Sequence, residues 1–256
     1  MAYVYNHGIR INYQVEGEGP ALVLYHGLGQ DWQSWYEAGY VEALKKDYRL
    51  LLIDSRGQGA SQKIYDPAAY GLKEEVGDVV AMLDDLGIDQ AHYFGYALGG
   101  WVGLGLAKYA PGRLRSLAIG GAQPYGQDMA PYRAMLQGGM ATCLASVEQA
   151  AGVSLLAAAR QRFLSNDHQA LSAAYANDRP DISKGLRLAT MPALLFAGAK
   201  DPLKPAIERC AAELPNATFV AIPGLSHIQL GLQLHTVLPQ LTDFLAKVER
   251  RSLVIA

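Results

Sequence analysis

A chain of 256 residues and 27.6 kDa can bury a sizeable core without a metal or disulfide staple, which excludes a mini-protein. Half the residues are hydrophobic and 18% charged, with 27 glycines against 12 prolines, a balance that excludes disorder and suits a heavily buried sheet. The 22 basic and 24 acidic residues give a formal charge of −2 with no basic stripe, so no nucleic-acid partner is expected.

The amino-terminal segment lacks the basic-then-apolar order of a secretory leader, and no apolar run reaches membrane-spanning length. Cys143 and Cys210 have neither a CxxC nor a metal-ligand spacing and read as buried thiols. The resulting expectation is a cytoplasmic protein with no metal, no cofactor and no membrane contact.

In chain order, the β-rich runs Tyr3 to Tyr5 and Ile9 to Val15 flank the turn signal Asn6-His7-Gly8 and predict an antiparallel hairpin. Ala21 to Tyr25 and Leu50 to Ile53 are continuously apolar, as strands covered on both faces are. A helical stripe of Leu72, Val76, Val79, Val80, Leu83 and Leu86 follows, stopped by Gly87. His92 to Gly95 reads as a strand, Leu98 to Tyr109 as a helix and Leu114 to Ile119 as a strand. From Pro124 to Leu188 the pattern predicts three or four helices, with Thr142 and Ser154 as candidate N-caps. The alternation then resumes with a strand at Ala193 to Ala197, a helix entered through Pro205, a strand at Thr218 to Ile222 and a last helix. That helix holds Pro239 in its first turn and faces Val237, Leu241, Phe244, Leu245 and Val248 inward. Residues 1–123 and 189–256 are read as one α/β core, and residues 124–188 as a helical cap inserted after the sixth strand.

Gly95-Tyr96-Ala97-Leu98-Gly99 lies between a predicted strand and helix, one residue away from G-x-S-x-G. In that motif the central residue occupies a strained turn, and the glycines keep side chains away from the crowded junction. Alone, such a pattern also serves close packing. His26-Gly27-Leu28-Gly29, the segment Asp54 to Ser61, Gly198 to Asp201 and Gly224 to His227 all fall at carboxyl ends of predicted strands, the edge where open α/β sheets bind ligands.

With these motifs in place, the chain resembles the α/β-hydrolase superfamily over nearly its whole length, nearest to small bacterial capped esterases and lactonases. HGLG resembles the oxyanion loop, DSRGQGAS resembles the D-x-R-G-x-G-x-S segment, and position 97, Asp201 and His227 follow the order nucleophile, acid, histidine. The resemblance implies an α/β fold with a mostly parallel sheet, an antiparallel hairpin at its start and a helical cap. It also implies His227 as base and acid, Asp201 as the residue that orients it, and backbone N–H groups of Leu28 and Leu98 as the oxyanion hole. His26, Asp54 and Arg56 then read as loop-fixing residues.

The departure is Ala97, which has no nucleophilic atom where the family has serine. The intact remainder reads as a serine enzyme whose nucleophile has been replaced, leaving this chain nearly inactive. The alternatives are a natural non-hydrolytic binding protein and a His–Asp dyad enzyme, such as a cofactor-free oxygenase. The expected substrate is a small to medium, largely uncharged ester or lactone, with carbon–carbon bond hydrolysis as a further alternative. Trp32, Tyr96, Tyr125, Met129 and Tyr132 are candidate substrate contacts, and Trp35 and Trp101 lie near the same loops. The cap carries few charges beyond Arg133, Arg160 and Arg162, so the pocket between cap and sheet is expected to be mainly apolar, with no arginine that must enter the cleft.

Overall fold

His7 and Gly8 stand at φ of 49° and 80°, the positive pair that matches the twist of a two-residue hairpin. β1 (Ala2–Asn6) and β2 (Ile9–Glu16) accordingly pair antiparallel. The structure, a computed structural model, describes residues 2–255.

β3 (Ala21–Tyr25) leads through the short helices α1 (Ser34–Glu37) and α2 (Tyr40–Leu44) to β4 (Arg49–Ile53), and α3 (Leu72–Asp85) leads to β5 (Ala91–Tyr96). α4 (Leu98–Tyr109) begins one residue after Ala97, and β6 (Leu114–Gly120) follows it. The sheet order is β1-β2-β4-β3-β5-β6 and continues through β7 (Ala193–Gly198) and β8 (Ala217–Ile222). β2 meets β4 antiparallel, and every pairing from β4 onward is parallel. The strands divide by alternation, as a period of two requires. Leu22, Leu24, Leu50 and Leu52 face one apolar layer, while Val23, Tyr25, Leu51 and Ile53 face the other.

Five helices occupy the chain between β6 and β7: α5 (Ala130–Gln137), α6 (Gly139–Ala151), α7 (Ala157–Leu164), α8 (His168–Ala174) and α9 (Ser183–Leu186). This exceeds the three or four expected, and neither proposed N-cap holds. Thr142 lies inside α6, where its hydroxyl donates back to the Gly138 carbonyl at 2.9 Å, a bond that competes with capping. Ser154 precedes α7, whose N-cap is Leu156. The cap that does form by side chain in this region is Asp167, which accepts from the Ala170 N–H at 3.0 Å.

α10 (Lys204–Glu213), α11 (His227–Leu232) and α12 (Leu238–Ile255) complete the chain. Pro205 and Pro239 lie in the first turns of α10 and α12, where a missing N–H has no intrahelical partner to lose. The carboxyl ends of β3, β5, β7 and β8 therefore carry the four loops that hold the candidate site.

Candidate active site

Ala97 is one of two non-glycine residues with positive φ among those described, at φ 53° and ψ −102°. This conformation costs an L-residue roughly 1–3 kcal/mol, and close packing on both sides imposes it. A Cβ on Gly95 would stand 2.4 Å from the Gly99 carbonyl oxygen, and one on Gly99 would stand 2.1 Å from that of Tyr25. Real Cβ atoms do not approach so closely, so both glycines are required for α4 to start against β5 and β3. The Tyr93 hydroxyl donates to the Gly99 carbonyl at 2.7 Å, and the Ala97 N–H donates to Gly120 at 2.9 Å.

The acid and the histidine arrive from β7 and β8 on two loops joined to each other. Ala199 N–H donates to Ile222 at 2.8 Å, and Lys200 N–H donates to Leu225 at 2.9 Å. One carboxylate oxygen of Asp201 accepts from the Leu203 N–H at 2.8 Å, and the other meets His227 Nδ1 at 2.9 Å. Asp201 is buried, and His227 keeps part of its ring exposed. With Nδ1–H directed at the carboxylate, Nε2 is the nitrogen left to accept a proton. His227 opens α11 behind a Ser226–Gln229 capping box.

Tyr96 ties this histidine to the turn. Its hydroxyl donates to the His227 carbonyl at 2.7 Å, and the two ring centroids are 5.3 Å apart. Gly121, at φ 62°, leaves room for both, because a Cβ there would lie 2.9 Å from His227 Cε1 and 2.8 Å from the Tyr96 ring.

The amides on either side of Leu28 in the loop after β3 are fixed by side chains. Gly27 N–H donates to the Gln30 side chain at 3.1 Å and Gly29 N–H to the Gln58 side chain at 2.7 Å. Between them the Leu28 N–H has no acceptor among the described residues, nor does that of Leu98, the first residue of α4. The first amides of a helix have no intrahelical partner, and they carry the positive end of its dipole. A Cβ built on Gly27 would lie 3.8 Å from that of Ala97, so the loop touches the turn directly. Two free amides beside position 97 are what an oxyanion site requires.

His26 supports this loop. Its Nε2 lies 3.0 Å from the Ser55 N–H, which only an unprotonated nitrogen accepts, so Nδ1 carries the proton toward the Gly27 carbonyl at 2.8 Å. Asp54 accepts from the N–H groups of Trp32 and Ala60 at 2.8 Å each and from Asn12 at 2.9 Å. Arg56 makes a two-pronged pair with Asp78 of α3 at 2.7 and 2.6 Å. Breaking such a buried pair from one side costs about 3–5 kcal/mol.

The helices after β6 cover this edge. Leu28 packs against their cluster of Met129, Phe163 and Tyr175, and a Cβ on Gly29 would strike the Phe163 ring at 2.3 Å. Asn166 donates to the Gly29 carbonyl at 3.1 Å, Gln229 to the Ala151 carbonyl at 3.1 Å, and Arg162 pairs with Asp31 and Glu37.

Residues 20–189 match the family model described as alpha/beta hydrolase fold. The chain belongs to the α/β-hydrolase family. It is 31% identical over 229 residues to a protein of Pseudomonas syringae pv. syringae that carries the name carbamate hydrolase RutD, covering 82% of this chain and 87% of that one. It is 28% identical over 219 residues to 3-oxoadipate enol-lactonase 1 of Acinetobacter baylyi, covering 77% of each. Among solved structures, the enol-lactonase of Burkholderia xenovorans LB400 is similar with a TM-score of 0.84 and 25% identity, over 96% of this chain and 100% of that one.

Within this α/β-hydrolase frame the candidate substrate contacts separate. Met129 and Tyr132 belong to the covering cluster that includes Leu28. Trp32 is half-buried beside the loop after β3, edge-on to Tyr36. Tyr96 is buried beneath His227 and positions it. Tyr125 departs from expectation: its ring lies against Arg209 of α10, 4.3 Å from the guanidinium carbon, because cation–π contact and burial draw it to that helix. Trp35 is a core residue packed on Tyr40 and Phe94.

Sequence reading also missed residues. Gly121 carries a signal only as the second of two consecutive glycines at the end of β6. Glu75 and Asp78 are acids on the buried face of α3, interrupting its apolar stripe. Glu75 makes no side-chain hydrogen bond among the described residues, and burial pushes its carboxyl up to about 7, with the charges of Arg56 and then Arg179 holding it back. Arg179, a cap cation not among the expected ones, stands over the Trp101 ring at 5.1 Å.

Proposed function

We propose that this chain carries the site of a serine-type hydrolase of small to medium carboxylic esters or lactones, with alanine at the nucleophile position. The observation that supports the reading is the turn at Ala97. A site without need of a nucleophile would be free of strain with glycine there, yet an L-residue is held at φ 53° beside an intact Asp201–His227 pair and two free amides.

A hydroxyl introduced on the Ala97 Cβ by Ala97→Ser would attack the carbonyl carbon and pass its proton to His227 Nε2. Asp201 holds Nδ1–H and stabilises the imidazolium, while the Leu28 and Leu98 amides take the developing oxyanion. His227 returns the proton to the departing alkoxide. Water then attacks the acyl intermediate through the same base and regenerates the hydroxyl. For a lactone the released alcohol stays tethered to the acyl group.

The test is turnover of short-chain aryl esters by both forms. Ala97→Ser should hydrolyse them, the parent chain should be nearly inert, and His227→Ala in the Ala97→Ser background should lose about 10³-fold or more. Equal rates, or no turnover by a folded Ala97→Ser form, would remove the hydrolase reading. Turnover of an acidic carbon substrate by the parent chain alone would favour the dyad reading, in which His227 Nε2 takes a proton and the amides hold the enolate.

A further inference from the structure

The five arginines of residues 124–188 do not have equivalent surroundings. Arg133 pairs with Asp128 and Asp178, Arg160 with Glu148 and Arg162 with Asp31 and Glu37, while Arg187 is exposed. Arg179 is half-buried and has no carboxylate within ion-pair distance among the described residues. The buried Glu75 carboxyl feels this charge without an ion-pair contact, and burial, which pushes that carboxyl up to about 7, leaves it only a partial counter-charge.

Its placement is fixed from its own backbone. Arg179 and Gln127 exchange both backbone hydrogen bonds at 3.0 Å, and Arg179 Nη1 donates to the Gln127 side chain at 3.3 Å. The guanidinium stands over the ring of Trp101, whose backbone N–H donates to the Ala97 carbonyl at 3.0 Å. Trp101 is thus one helical turn, about 6 Å of rise, beyond position 97. Tyr132 belongs to the covering cluster that Leu28 packs against. It stacks on Tyr175 at 5.4 Å, it feels the charges of both Arg179 and Asp201, and its hydroxyl has no hydrogen-bond partner among the described residues.

From this juxtaposition we infer that Arg179, held over Trp101, is a recognition site for a carboxylate on the acyl portion of the substrate. The scissile carbonyl then lies at position 97 and the anionic end over Trp101. The inference rests on the ester or lactone reading and replaces the uncharged substrate expected from sequence with a short acyl chain ending in a carboxylate. A guanidinium already held over an indole, with free donors remaining, presents the planar fork that a carboxylate fits.

The test has a kinetic arm and a binding arm. In the Ala97→Ser form, kcat/KM is compared for the p-nitrophenyl monoester of glutaric acid and for p-nitrophenyl butyrate. Calorimetry of the parent chain compares monomethyl glutarate with methyl butyrate. Both arms should favour the carboxylated member at least tenfold. Arg179→Gln should reduce the preference by 10- to 100-fold, and Arg179→Lys should keep an intermediate value, with circular dichroism showing that each variant folds. No preference for the carboxylated member, or a preference that survives Arg179→Gln, overturns the inference. A folded Ala97→Ser form without turnover, alongside a calorimetric preference that depends on Arg179, sustains this site and removes the hydrolase reading instead.

Discussion

A Cβ on Gly121 would stand 2.9 Å from Cε1 of His227 and 2.8 Å from the Tyr96 ring, on a residue already at φ 62°. Gly121→Ala is therefore expected to move the imidazole rather than to unfold the chain, since the clash falls on a partly exposed loop side chain. A displacement near 1 Å in a catalytic group costs on the order of 100-fold. In the Ala97→Ser background, ester kcat should fall by about that factor with little change in thermal midpoint. A fall in midpoint without a fall in kcat would place Gly121 in the fold alone. At this scale the dyad itself is legible in sequence, because Asp201 and His227 each follow a strand end by a few residues. Gly121 is not, since its requirement comes from a ring that reaches it across the sheet edge.

α3 shows the same division at the scale of an element. Its stripe of Leu72, Val76, Val79 and Leu83 is read directly from the period, and Gly87 at φ 65° ends the helix as its composition requires. The acids at 75 and 78 sit on that buried face for a reason the helix does not contain: Asp78 answers Arg56 from the loop after β4. Glu75 has no such bond, and its raised pKa makes it a stability term with a definite sign. A carboxyl at about 7 when folded, against 4.5 when free, binds more protons in the native state between those values. Stability must then fall as pH rises from about 4.5 through 7 and level off above it. The full difference is on the order of 3 kcal/mol. Glu75→Gln removes it, so urea unfolding at pH 5 and pH 8 should show the variant gaining on the parent chain at the higher pH. An unchanged difference between the two proteins across that range would contradict the assignment.

Across the whole molecule, the strand–helix alternation, the antiparallel start and the helical stretch after the sixth strand follow from periodicity and turn residues, and the sheet places four separated loops at one edge. The covering helices were less legible. Their short length and small residues give weak periods, Thr142 turns its hydroxyl into its own helix, and Tyr125 answers to Arg209 of α10. Their seating on the loops depends on long-range contacts such as Asn166 to Gly29 and Gln229 to Ala151. The central claim is that the turn, the dyad and the free amides form one preorganised site lacking a single hydroxyl. Intact-mass and peptide analysis after exposure to a fluorophosphonate tests it most directly, because phosphonylation needs an activated nucleophile and an oxyanion site together. The account predicts one adduct per chain at position 97 in the Ala97→Ser form, none in the parent chain, and loss of the adduct when His227→Ala is added. A folded Ala97→Ser form that stays unmodified, or equal labelling of the parent chain, would contradict it.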